Sequence, residues 1–155
     1  MSILKNSIVA ISLLFITTGA IANEKPTRDI AQEEKNKILV VNFYNDFFNN
    51  HQINEALNIL TEDYKQHNPY VPDGRAPFIT YFSAFFKEHP QSSAQIVRTA
   101  VDGDLVWLHV HSKENEKDLG KAVLDIFRVK DGKIVEHWDI IQNVPATAAN
   151  SNTMF

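Results

Sequence analysis

Residues 105–143, LVWLHVHSKENEKDLGKAVLDIFRVKDGKIVEHWDIIQN, restrict the fold more than any other stretch. Val-Trp-Leu-His-Val-His and Val-Leu-Asp-Ile-Phe-Arg alternate apolar or aromatic residues with polar ones, which predicts three consecutive antiparallel strands. Successive strand residues point to opposite faces, so each histidine or aspartate in these strands is committed to one face. The reading places His109, Asp125, His137 and Asp139 on a common face that lines a pocket.

Register decides that face. A two-residue Asp131-Gly132 turn would set Asp125 opposite Trp138, whereas a three-residue Lys130-Asp131-Gly132 loop with a bulged Gly132 would set it opposite His137. A slip of one residue exchanges the faces completely. The bulged loop is preferred, because it gathers Asp125, His137 and Asp139 beside Val123, Phe127 and Val135. Leu124, Ile126, Ile134, Trp138 and Ile140 then occupy the other face, which is apolar enough to predict a homodimer through it.

Upstream, the period is helical. A first helix is expected from Thr27 or Asp29 to about Asn49, with Val41, Tyr44 and Phe48 on its buried stripe. A short second helix follows Asn54 as N-cap. The stretch around Tyr64 to Pro69 is extended or irregular, because Pro69 disfavours a helical Asn68. A third helix holds Pro77 in its first turn and buries Phe78, Tyr81, Phe82, Phe85 and Phe86. Residues 94–101 then form a strand. Helices followed by an antiparallel meander indicate one α+β domain with helices packed on one sheet face.

Residues 1–22 read as a cleavable signal peptide: Lys5, an apolar run from Ile8 to Ile16, and Ala20-Ile21-Ala22 as a small-x-small cleavage site. The mature domain is then 23–155, periplasmic or secreted, with no membrane association after cleavage. With 15 Lys and Arg against 19 Asp and Glu, nothing suggests a basic nucleic-acid surface. The chain lacks cysteine, so it has neither a thiol nucleophile nor disulfides. No G-x-S-x-G elbow or glycine-rich phosphate loop occurs.

The strings DGDLVWLHVH and LDIFRVKDGKIVEHWDIIQNVP, with YKQHNP and DGR upstream, resemble the SnoaL-like polyketide-cyclase branch of the nuclear-transport-factor-2-like superfamily. Within it, the likeness is to bacterial proteins described as predicted aldol-condensation-catalysing. The resemblance covers the whole chain after the leader. It implies a cone-shaped α+β barrel, a curved antiparallel or mixed sheet wrapped around three helices with a deep cavity between. It also places Asp125 where related cyclases carry an acid/base aspartate, and His109 or His111 where they carry its histidine partner.

The candidate catalytic residues are therefore Asp125, His109 and His67, the last on irregular backbone in Gln-His-Asn-Pro. Asn68, His111, Phe127, His137, Asp139 and Tyr64 are candidate substrate contacts. His109, Asp125 and His137 form a possible two-histidine-one-carboxylate set, but such residues on neighbouring strands commonly bond to one another, so no metal and no cofactor are expected. The expected guest is a small hydrophobic molecule. One function is acid/base chemistry on an apolar carbonyl compound, by aldol-type cyclisation, isomerisation or dehydration. The alternatives are a non-catalytic periplasmic ligand-binding protein and a dimeric interaction module. Catalysis predicts Asp125 bonded to a histidine across an open cavity; pure binding predicts a carboxylate tied to backbone.

Overall fold

The computed structural model describes residues 27–155; the expected signal peptide lies outside them. Helix α1 spans Ile30–Tyr44, and Asp29 caps it by accepting from the Gln32 N–H at 2.9 Å. The chain continues into a wider π-helical turn, Asn45–Asn49, marked by Asn50 N–H bonding Asn45 O at 3.0 Å. Helix α2 is Ile53–Ile59, strand β1 Leu60–Gln66 and helix α3 Arg75–Glu88. Strands β2 Ser93–Asp102, β3 Leu105–Lys113, β4 Lys121–Lys130 and β5 Lys133–Asn143 complete the chain.

These strands form one open five-stranded sheet ordered β1-β5-β4-β3-β2. The last four strands are the expected antiparallel meander. The α+β class and the three helices agree with expectation. One local reading is corrected: Gln52, not Asn54, occupies the N-cap of α2 and makes no side-chain cap bond. Of the two alternatives for the segment after α2, the extended one holds as far as Gln66: β1 pairs in parallel with β5, with a register shift between Leu60 and Lys65 and Gln66 standing beside His137. His67, Asn68 and Pro69 follow outside the strand.

The last hairpin combines parts of both anticipated registers. Asp131 and Gly132 both have positive φ, 50° and 71°, the conformation of a tight two-residue turn. Lys130 pairs with Lys133 and Val129 with Ile134, but Arg128 pairs with Glu136. Val135 is therefore an extra residue on β5, a bulge beyond the turn rather than within it. Asp125 faces Asp139, and Phe127 faces His137. Ile134 is consequently fully buried in the core, not on the outer face as expected.

The sheet's inner face packs on the helices through Val106, Leu108, Val110, Phe127, Val129 and Ile134. Phe47 lies at the centre of the helical side, stacked on Phe78 at 5.0 Å and edge-on to Phe48, Phe82 and Phe86. The start of α1 is tied to the β2–β3 turn by a buried carboxylate. Glu33 accepts from Arg28 Nε and Nη2, along one edge of the guanidinium, and from the Gly103 N–H at 3.0 Å. Hydrogen bonding to Arg28 first, then to the Gly103 amide, lowers the Glu33 pKa below its ordinary 4.5.

A depressed folded-state pKa contributes stability above the unfolded value and loses it as pH falls through the folded one. Glu33→Gln should therefore lower the urea midpoint at neutral pH. The difference from wild type should shrink as pH drops below about 4.5.

Candidate active site

Asp125 projects from the middle of β4 onto the inner face and is 5% exposed. Burying a carboxylate is unfavourable unless its oxygens are partnered, and here both are. Oδ2 accepts from the Tyr44 hydroxyl at 2.7 Å, and Oδ1 lies 2.9 Å from His137 Nε2. Tyr44 ends α1, so its helical stripe and its bond to the sheet come from one side chain. Burial first, then the neighbouring Asp125 charge, raises the Tyr44 pKa well above 10. Tyr44 therefore stays a phenol and donates.

The other imidazole nitrogen, His137 Nδ1, lies 2.8 Å from the Gln66 side-chain oxygen. That oxygen also accepts the Asn68 backbone N–H at 3.0 Å, and a backbone N–H can only donate. The amide orientation is thereby settled, so Nδ1 must carry a hydrogen. A neutral His137 would then present a bare Nε2 to Asp125, which would have to hold the proton itself. Otherwise His137 is imidazolium and Asp125 a carboxylate. Either way one proton lies between Oδ1 and Nε2, and moving it across 2.9 Å converts the carboxyl from acid to base.

Asp139, opposite Asp125, is held by the Asn68 amide, with Nδ2 at 3.0 and 2.8 Å from its two oxygens. These groups line a cavity of about 330 Å³ between the sheet and α3. Its walls are largely aromatic, including Phe48, Phe78, Phe82, Phe85 and Phe127. Tyr64 also lines it, from β1. Its hydroxyl has no hydrogen-bond partner among the described residues, and burial, then the Asp125 and Asp139 charges, raises its pKa well above 10. Tyr64 thus stays a phenol with a hydrogen to donate.

Of the anticipated residues, Asp125, His137, Asp139, Asn68, Tyr64 and Phe127 meet in this cavity. Three histidines do not. His109 pairs with Leu124 while Leu108 pairs with Asp125, so His109 and His111 belong to the outer face. There Phe155 stacks on both, at 5.7 and 4.1 Å, and His111 Nε2 bonds Leu119 O at 2.9 Å. His67 also points outward, stacked on Trp138 at 4.5 Å and bonded to Glu136 at 2.8 Å. Once β1 is a strand, Tyr64, Gln66 and Asn68 share the inner phase and His67 takes the opposite one. Sequence reasoning missed Gln66 and Tyr44. The alternation from Tyr64 to Asn68 was the available signal for Gln66, and nothing local pointed to the Tyr44–Asp125 bond.

Asp125, His137 and Asp139 each offer a ligand atom within 4.8 Å of the others. Both imidazole nitrogens are already engaged by Asp125 and Gln66, and Asp139 by Asn68. The cluster is satisfied by hydrogen bonds as it stands. Tyr44→Phe would leave one buried carboxylate oxygen without its donor. We expect a loss of about 1.5–3 kcal/mol in unfolding free energy, measured by urea denaturation.

Comparison with known proteins agrees with this architecture. Residues 40–137 match a family model described as the SnoaL-like domain. A solved structure from Kribbella flavida DSM 17836, whose ketosteroid isomerase designation is provisional, aligns with TM-score 0.63 and 18% identity. That alignment covers 77% of this chain and 86% of the other. A Bacillus cereus ATCC 10987 protein, provisionally called a polyketide cyclase, gives 0.58 and 26%, covering 69% and 74%. A SnoaL-like protein of unknown function from Burkholderia thailandensis E264 gives 0.58 and 13%, covering 69% and 97%. No curated protein matches the sequence.

Proposed function

The chain belongs to the SnoaL-like domain family, and on that premise we propose that it is a cofactor-free acid/base enzyme acting on a small apolar carbonyl compound. The observation that carries this reading is the 2.9 Å contact between Asp125 Oδ1 and His137 Nε2 at the wall of an aromatic cavity. The carboxylate meets side chains rather than backbone, the arrangement expected of a proton-transfer group and not of a purely structural aspartate.

In the proposed reaction the guest's carbonyl oxygen accepts a hydrogen bond from the Tyr64 hydroxyl. Asp125, in its carboxylate form, removes a proton from the adjacent carbon while Tyr44 and the His137 imidazolium hold its two oxygens. Negative charge moves onto the guest's oxygen as the enolate forms, and Tyr64 is placed to stabilise it. Gln66 positions His137 by keeping hydrogen on Nδ1. Return of the proton to a different carbon gives isomerisation. Attack of the enolate carbon on a second carbonyl gives aldol-type closure, and loss of hydroxide from the β-carbon gives dehydration. His109 and His67 have no part in this scheme, because both lie across the sheet from the guest.

We also propose export through residues 1–22, and a homodimer formed through the outer sheet face, where Ile140 is 66% exposed next to Leu124, Ile126 and Trp138. Among the described residues no helix is long and apolar enough to cross a membrane. Light scattering of the purified protein should give twice the chain mass, and Ile140→Lys should return it to one.

Screening a panel of apolar ketones and aldehydes for isomerisation, dehydration or ring closure tests the catalytic reading. For any substrate turned over, Asp125→Asn should lower kcat by about 10²–10⁴-fold with the fold and guest affinity retained. Tyr64→Phe should lower kcat by about 10²-fold. Undiminished turnover by Asp125→Asn would remove the proton-transfer role.

A further inference from the structure

The cavity wall is polarised in charge, and the polarity follows the strands. On β4 the inner-face residues run Asp125, Val123, Lys121, and on β5 their partners run Asp139, Ile141, Asn143. Two carboxyl groups therefore sit at the buried end, an apolar pair follows, and a lysine stands at the rim. Burial has the same gradient. Asp125 and His137 are buried, the Lys121 side chain is 42% exposed, and the neighbouring wall residues Tyr70 and Tyr81 are largely open to solvent. Besides His137, the acidic and basic residues lining the cavity are the two aspartates within and Lys113 and Lys121 at the mouth.

From this arrangement, and resting on the proposed carbonyl chemistry, we infer that the substrate is amphiphilic: a neutral apolar body bearing the reacting carbonyl, with an anionic group left at the mouth on Lys121. The inner end disfavours an anion: the proton shared by Asp125 and His137 leaves that pair with no net charge, and Asp139 beside it supplies one negative charge in a partly buried setting. A fully apolar guest would leave Lys121 with only its exposed partner Glu114. An anionic tail satisfies both ends and fixes which end enters first, and the rim cations raise the local concentration of such a guest. Lys121 and Asp125 stand four strand steps apart, about 13 Å between their Cα atoms, which sets the scale of the guest's length.

Lys121 has a partner within the fold. Its Nζ lies 3.3 Å from Glu114 Oε1, a half-exposed carboxylate that also comes within 3.7 Å of His89 Nδ1. Glu114 is outside the cavity lining, on the β3–β4 loop. Such an exposed pair is weak and exchangeable, so Glu114 holds the position that the guest's anion takes over.

Dansylaminoundecanoic acid and its methyl ester share one apolar body and differ by one negative charge, which makes them matched fluorescent probes. Titrated into the full mature protein, the acid should bind at least about threefold tighter than the ester. Lys121→Met should weaken the acid by about three- to fivefold and leave the ester unchanged, the range of a partly exposed ion pair. Glu114→Gln should tighten the acid. If the ester binds but the acid shows no preference and Lys121→Met leaves it unmoved, the anionic tail is wrong while the apolar-guest cavity stands. If neither probe binds the wild-type protein, the cavity reading falls and this inference falls with it.

Discussion

One inserted residue on the last strand governs what this molecule can do. Side chains along a strand alternate strictly, so a two-residue hairpin between β4 and β5 would carry Glu136 and Trp138 inward and leave His137 and Asp139 in solvent. Val135 breaks the alternation once. Ile134 can then fill the core near the turn while His137 and Asp139, farther along, face the cavity. The same strand thereby contributes apolar packing at one end and polar chemistry at the other. The tight turn at Asp131-Gly132 needs no alteration to achieve it.

The polar groups brought inward are tolerated because each is satisfied by a neighbour from a different element. Asp125 on β4 is bonded by Tyr44 at the end of α1 and by His137 on β5, and His137 in turn by Gln66 on β1. An apolar cavity makes unpaired polar groups costly, so this chain is held together by the environment it creates. The network joins the end of α1 to the three strands β4, β5 and β1 on one side of the sheet, and Glu33 joins the start of that helix to the β2–β3 turn at the other. Helix position and site geometry are consequently one problem. The Gln66 side-chain oxygen that faces His137 Nδ1 is itself held by the Asn68 backbone N–H.

Sharing a SnoaL-like fold does not specify a reaction, since one scaffold can carry different chemistries in its cavity. What distinguishes this cavity is the order of its contents: a paired acid at the buried end, a phenol facing the guest, aromatic walls, and a cation at the opening. The amphiphilic guest proposed above would match that order along its length. The outer face is a separate region, where Trp138 lies between His67 and Arg128, and the terminal Phe155 covers His109 and His111.

The amino-acid sequence by itself determined the fold class, the helical stripes, the antiparallel meander and Asp125 as a carboxylate destined for a sheet face. Those features follow from periodicity and composition within short windows. It also held the material for placing Gln66, in the alternation Tyr64-Gln66-Asn68, though a proline nearby made that segment look irregular. Only the tertiary structure decided which imidazole meets Asp125. That choice depends on the parity of strand pairing, and parity was set by a bulge at Val135 and by a parallel contact between β1 and β5, residues more than 65 positions apart. Local sequence specifies which way a side chain points relative to its neighbours in the strand. Which strand lies alongside, and in what register, comes from packing the whole sheet against its helices.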